Sequence, residues 1–268
     1  MKLIFPAIAL LLAVALADAS VWAGETEQEA ELVKKSLNPV ADLISLPIQN
    51  NWDWGIGPAG AMRFTMNVQP VIPVSVSADW NVIIRTIAPI ISQQSPIPNS
   101  GGTASGLGDI TQSFFLSPRD TLNGWIVGLG PALLYPSAAD SRLGSGKWGA
   151  GPTFVVLRQE SGWTVGMLAN QVWSYAGQSD RSDVSSAFLQ PFLGYSTRTY
   201  TTFLVNTEST YDFKADQWTV PVNLLLTQMI KIGKQPVSLQ LGYRYYFNQP
   251  PGGPDAGMRF AVTWLFPK

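Results

Sequence analysis

Apolar and polar residues alternate strictly along residues 63–76. Phe64, Met66, Val68, Pro70, Ile72, Val74 and Val76 share one face, and Arg63, Thr65, Asn67, Gln69 and Ser75 the other. Period two is the signature of a β-strand, and this run is longer than an average soluble strand. The same dyad recurs. Trp125, Val127, Leu129, Pro131, Leu133 and Tyr135 oppose Gly128, Gly130 and Ala132. Val237, Leu239, Leu241, Tyr243, Tyr245 and Phe247 oppose Ser238, Gln240, Gly242, Arg244, Tyr246 and Asn248. Near the end, Met258, Phe260, Val262, Trp264 and Phe266 oppose Arg259, Ala261 and Thr263. The pattern predicts strands at 48–56, 63–76, 80–91, 109–116, 125–135, 148–157, 163–173, 187–195, 202–213, 218–230, 237–247 and 258–266. An even set returns both termini to one side of a membrane.

A soluble sandwich also alternates, but its strands are shorter and its outer face carries Lys and Glu. Here the polar face carries Gly, Ser, Thr, Asn and Gln with isolated charges, and only 13% of the chain is charged, about half of what a soluble domain carries. A single antiparallel transmembrane β-barrel of about 12 strands, all-β, explains both features: its outside must be apolar and its lumen only polar. The connections agree. Those at 77–78, 159–162, 196–199 and 233–235 are tight, as periplasmic turns are. Those at 92–108, 137–146, 176–186 and 248–257 are longer and rich in Gly, Ser, Pro or Asp, as outer loops are. Trp80, Trp125, Trp163 and Trp264 fall at the expected periplasmic ends, and Trp52, Trp54, Trp148, Trp173 and Trp218 at the outer ends. Two interfacial girdles follow.

The first residues read as an export signal. Met1-Lys2 precedes an apolar core over 3–16, and small residues at 17–19 and 21–23 offer cleavage after Ala19 or Ala23. The apolar run falls short of a membrane span. The expected organisation is a signal peptide at 1–23, a short periplasmic segment at 24–46 and an outer-membrane barrel at 47–268. Within 24–37, acidic then basic residues with Leu32, Val33 and Leu37 predict a short helix ended by Asn38-Pro39. A solvated leader is the expectation there, with a lumen plug as the alternative.

Composition removes whole classes of function. With no Cys and no His, the chain has no disulfide, no thiol or Ser-His catalysis, and no Cys- or His-ligated metal site. A net charge of −1 gives no basic face for nucleic acid. Asp109 with Asp212 is a carboxylate pair with no spacing that favours acid/base work, and Gly106-Leu107-Gly108 is too short to cradle phosphate. The expectation is a non-enzyme without cofactor or metal.

The run Asn38-Pro39-Val40-Ala41-Asp42-Leu43-Ile44-Ser45-Leu46-Pro47-Ile48-Gln49-Asn50-Asn51 resembles the opening of proteobacterial outer-membrane transporters known as "MetA-pathway of phenol degradation" or "neuromedin U"-type proteins. Asn67-Val68-Gln69-Pro70-Val71-Ile72-Pro73, Gly106-Leu107-Gly108-Asp109 and Gly233-Lys234-Gln235-Pro236-Val237 extend the resemblance over nearly the whole mature chain. It implies an outer-membrane barrel and transport, and brings no substrate or site residues. The chain departs from the family in ending with Pro267-Lys268 after its closing aromatic, Phe266.

Charges expected in the lumen are Asp53, Arg63, Arg85, Asp109, Glu208, Asp212, Arg244 and Arg259. Arg259, Asp53, Arg63, Arg85 and Asp109 come from five successive strands across the closure, a predicted charge belt. Such charges are costly at membrane depth unless paired or hydrated, so the belt is either a structural ion-pair network or a constriction that aligns a solute. Phe188, Phe192 and Tyr246, joined by Ile83, Ile87 and Leu225, also fall on polar faces. They read either as interior packing of a small barrel or as a path for an aromatic or apolar solute. The functional expectation is a channel for passive or facilitated passage of small solutes. Its partners are outer-membrane lipid and lipopolysaccharide, the barrel assembly machinery and a small-molecule solute. A structural or adhesive barrel acting through its extracellular loops is the alternative.

Overall fold

A computed structural model describes residues 27–98 and 102–267; the expected signal peptide at 1–23 lies outside the described residues. Among the described residues, one helix, α1 (Glu27–Ser36), precedes fifteen strand segments. These are β1 (Ile44–Ile56), β2 (Ala61–Val68), β3 (Val71–Ser75), β4 (Trp80–Gln93), β5 (Ala104–Leu107), β6 (Ile110–Pro118), β7 (Trp125–Tyr135) and β8 (Lys147–Glu160). The chain continues through β9 (Trp163–Gly177), β10 (Ser185–Ser196), β11 (Thr201–Thr207), β12 (Ser209–Asp212), β13 (Gln217–Ile232), β14 (Gln235–Asn248) and β15 (Ala256–Phe266). Every ladder is antiparallel between neighbours, and β15 returns to pair with β1 from Ile44↔Phe266 to Trp54↔Ala256. The sheet is a closed barrel of 12 staves. Closure leaves no unpaired sheet edge, which a backbone in hydrocarbon requires.

Three staves are interrupted. The expected strand 63–76 divides into β2 and β3 at Gln69-Pro70, where Pro70 has no N–H to give the ladder. The strand 202–213 divides into β11 and β12 at Glu208, opposite Pro221, the site of a register shift in β13. The long connection 92–108 is shorter than expected, because β5 extends the fourth stave along β4. The first stave begins at Ile44 rather than Ile48, and β8 and β13 also outrun their expected limits.

The alternation sorts the two surfaces as expected. Ile72, Val74, Leu129, Phe203, Val205, Leu224, Tyr243 and Phe260 are exposed outward, whereas Gln69, Thr153, Thr202, Asn223, Arg244 and Arg259 are buried inside. Exposed Trp80, Trp125 and Trp163 mark the end bearing the tight turns. Trp54, Trp148, Trp173 and Trp218 mark the opposite, loop end. On the outer face, Gln112 donates to Thr86 Oγ1 (2.9 Å) and accepts from Tyr135 Oη (2.9 Å), which satisfies its amide against a lipid-facing wall.

The leader is not solvated. Val33 of α1 is buried with Ala41, Leu43, Tyr200, Met229 and Leu265, and Leu32 packs on the same cluster at the turn end. Glu29 pairs with Lys231 of β13, and Gln159 Nε2 at the end of β8 donates to the Lys34 carbonyl (2.8 Å). The narrow apolar stripe could not hold a helix in water alone, but the mouth of the barrel offers it an apolar seat. Ser36 Oγ donates to the Val33 carbonyl (2.7 Å), and Asn38 Oδ1 accepts from the Val40 N–H (2.9 Å), which turns the chain into the barrel. Val40 then enters a second apolar cluster, formed inside the lumen by Ile83, Phe115, Val155, Leu157, Leu168 and Phe192. Gly128 makes room for it: a Cβ there would crowd Phe115, Val155 and Val40 at 3.1–3.2 Å.

Candidate functional site

Inward positions of β1, β11, β13, β14 and β15, with Glu208 between β11 and β12, converge on one charged cluster. Arg259, 2% exposed, donates from Nη1 and Nη2 to both carboxylate oxygens of Glu208 (2.8 and 2.7 Å) and from Nε to Asn51 Oδ1 (2.8 Å). Its planar fork matches the carboxylate in a bidentate pair. Arg244 lies 3.6 Å from an oxygen of Glu208 and 3.6 Å from Asp53, and its guanidinium stands over the Tyr246 ring at 5.5 Å. Tyr246 Oη donates to Asp53 Oδ1 (3.0 Å), and Asn223 Nδ2 donates to Asn206 Oδ1 (2.7 Å) beside them. Two guanidinium groups thus offset two carboxylates. At this depth the arrangement tolerates the loss of neither partner: breaking such a pair costs about 3–5 kcal/mol.

Arg85 on β4 stands apart from this cluster. Its Nη2 donates to Gln69 Oε1 (3.1 Å), and it lines a lumen cavity of about 320 Å³ that also reaches Glu208 and Arg259. Ile87, Phe188, Leu204 and Leu225 form the apolar wall of that cavity. A second cavity, about 210 Å³, lies toward the turn end against the segment 35–43, and Arg85 lines it too.

The predicted five-strand belt does not form. Asp53 and Arg259 join the cluster with Glu208 and Arg244, and Arg85 faces the cavity. Arg63 is exposed at the loop rim and donates to Gln93, although its Cα is the ladder partner of Asp53. Asp109 instead anchors the connection 136–146: its carboxylate accepts from the N–H of Ala138 (3.3 Å) and from the N–H and Oγ of Ser145 (2.6 and 2.7 Å). Asp212 caps the turn at 213–216 by accepting from Lys214 and Ala215 N–H. Strand parity specifies a face but not a depth, and barrel tilt puts ladder neighbours at different heights.

The expected apolar path divides in the same way. Phe192 is buried in the lumen cluster, Phe188 packs on that cluster and lines the larger cavity, and Tyr246 belongs to the charged cluster. Ile83 is core and Leu225 is cavity wall. The sequence pattern did not single out the amides Asn51, Asn206 and Asn223 or the inward apolar Phe115, Val155, Leu157 and Leu168. Unbroken parity along their strands was the signal that could have found them.

At the loop end, Lys147 pairs with Asp183 (3.0 Å), and Arg181 donates to the carbonyls of Ser141 (2.8 Å) and Ser145 (3.3 Å), tying connection 178–184 to 136–146. A hydrogen bond from Lys147 and its charge hold the Asp183 carboxyl below its usual value, and hydrogen bonding from Arg142 pushes Asp140 down to about 2.

No protein-family model matches the chain. No curated protein matches it either. Solved structures do. An outer-membrane channel from Pseudomonas putida F1 superposes with TM-score 0.64 at 14% identity, covering 84% of this chain and 96% of that one. The NanC porin superposes with TM-score 0.53 at 13% identity, covering 82% and 98%. At these identities the likeness is one of fold. With the closed barrel, the apolar outer wall and the two tryptophan girdles, it defines a Gram-negative outer-membrane β-barrel.

Proposed function

We propose that this barrel is a channel for the passage of small solutes across the outer membrane, of the transporter type that its N-terminal run resembles. The observation that carries the reading is the lumen itself. Two cavities lie along it, one walled by both charged and apolar side chains, and a docked N-terminal segment lies beneath the other. A barrel serving only as a scaffold would gain from filling that space with apolar side chains, as the Phe115 side is filled. Alternatives in which the loops act as an adhesive surface fit less well, since the connections 136–146 and 178–184 are tied down onto each other. Export by a cleaved signal, insertion by the barrel assembly machinery and contact with lipopolysaccharide complete the reading. Two experiments test it: planar-bilayer conductance of the mature protein, and liposome swelling with sugars, amino acids and aromatic acids. Discrete conductance steps with swelling by at least one solute class are expected. Absence of both conductance and swelling would remove the channel reading.

A further inference from the structure

We propose that the larger lumen cavity is a binding site for a small organic anion with a hydrocarbon body, its anionic head on Arg85 and its body against Phe188, Leu204 and Leu225. This rests on the channel reading for its biological sense, but the site stands on its own geometry.

Arg259 and Arg244 are engaged by Glu208 and Asp53, at 2.7 and 3.6 Å. The side-chain hydrogen bond of Arg85 goes to a neutral amide oxygen, that of Gln69. A guanidinium has five donors in a fixed fork, so most of that fork is left for a ligand. Glu208 lines the same cavity, yet its two oxygens are already held by Arg259. The cavity therefore carries one cation in excess, inside walls of low dielectric where the field of a single charge reaches far.

The other walls say what the anion carries. Phe188, Leu204 and Leu225 present an apolar surface, while Gln190 and Gln240 supply neutral groups around it. Phe188 is backed by the lumen cluster, so it is a fixed wall. An inorganic anion would use the guanidinium and leave the apolar wall wet; an apolar solute would use the wall and leave the guanidinium unpaired. A carboxylate on a short hydrocarbon or a ring satisfies both. At about 320 Å³ the space is at the small end of ligand sites. Because Arg85 also lines the cavity beneath, a ligand held there occupies the route along the lumen.

The test is isothermal titration calorimetry on the refolded mature protein in detergent micelles. Benzoate, its neutral isostere benzamide and the cation benzylammonium are the probes, and empty micelles give the blank. Benzoate is expected to bind about tenfold or more tighter than benzamide at low salt, with benzylammonium weakest. Arg85→Gln should reduce the benzoate-to-benzamide ratio to about one, whereas Arg85→Lys keeps part of it because the point charge survives. Phe188→Ala should weaken benzoate and benzamide alike and leave their ratio unchanged. Heat-modifiable gel mobility checks that each variant is a folded barrel. Equal binding of benzoate and benzamide, or a preference that survives Arg85→Gln in a folded barrel, overturns the proposal. Conductance with no preference for benzoate overturns this site and spares the channel. Arg85-dependent binding without conductance or swelling supports the site and removes the channel.

Discussion

Replacing Val33 with Asp should release the N-terminal segment from the barrel without unfolding the barrel. Val33 is 5% exposed, so nearly all its apolar surface is covered by Tyr200, Met229, Leu265, Ala41 and Leu43. Burial of such a side chain contributes about 1.5–3 kcal/mol, or roughly 10- to 150-fold in the ratio of docked to undocked segment. A carboxylate in that seat would lie unpaired in an apolar cluster, at a further cost, so undocking is the cheaper response. The ion pair to Lys231 contributes less. Lys231 is 39% exposed, and Glu29→Gln should lower the ratio by about fivefold at most, as half-exposed pairs contribute about 0.2–1 kcal/mol. Trypsin reads the difference. Lys34 and Lys35 sit in the last turn of α1, and cleavage there needs the helix to leave its seat and open, so the rate follows the undocked population. Val33→Asp should be cut roughly 10- to 150-fold faster than the native chain while the barrel keeps its folded gel mobility, and Glu29→Gln less than about fivefold faster. Unchanged cleavage in Val33→Asp, or loss of the folded barrel in step with cleavage, would refute the docking argument.

Three further outcomes follow from the wall, the lumen and the loops. Val68→Arg, on the lipid face, should destabilise the barrel by about 2–4 kcal/mol in urea titrations in lipid vesicles, whereas Asn67→Arg, lining the cavity, should cost much less; equal penalties would mean the faces are misassigned. Arg259→Met should cost about 3–5 kcal/mol by removing the bidentate partner of Glu208, and adding Glu208→Gln should recover part of that loss; strict additivity would show that the two residues do not act as a pair. The Lys147–Asp183 tie depends on an ionised carboxylate whose folded pKa is depressed. Its contribution is therefore complete above the unfolded value near 4 and lost only as pH falls below it. A spin label on Ser182→Cys should be immobile from pH 8 to about 5 and loosen below about 4, and Lys147→Met should abolish that transition; mobility changing near neutrality would contradict the assignment.

Much of this molecule was readable from the chain alone. A side-chain period of two states which face each residue joins. A wall of Val68, Ile72 and Leu129 set against Asn67, Gln69 and Gly128 leaves a barrel as the arrangement that satisfies both faces in a membrane. Tryptophans at strand ends fixed where the membrane interfaces lie, for the same local reason. What parity could not convey is depth and reach. Asp53 and Arg63 are ladder partners, yet one is buried with Arg244 and the other is exposed at the rim. Asp109 looked inward by count but serves a loop whose course only the closed barrel fixes. Glu208 pairs with Arg259 although two staves lie between them along the ring, because curvature brings inward side chains together in the lumen. The helix tells the same story: its stripe of Leu32 and Val33 is too narrow to predict docking, and the apolar seat that holds it is assembled from β13, β15 and the turn before β11. Local pattern determined the faces, because that depends only on the backbone period. Tertiary closure decided the partners, because strand tilt and lumen width are properties of the whole ring.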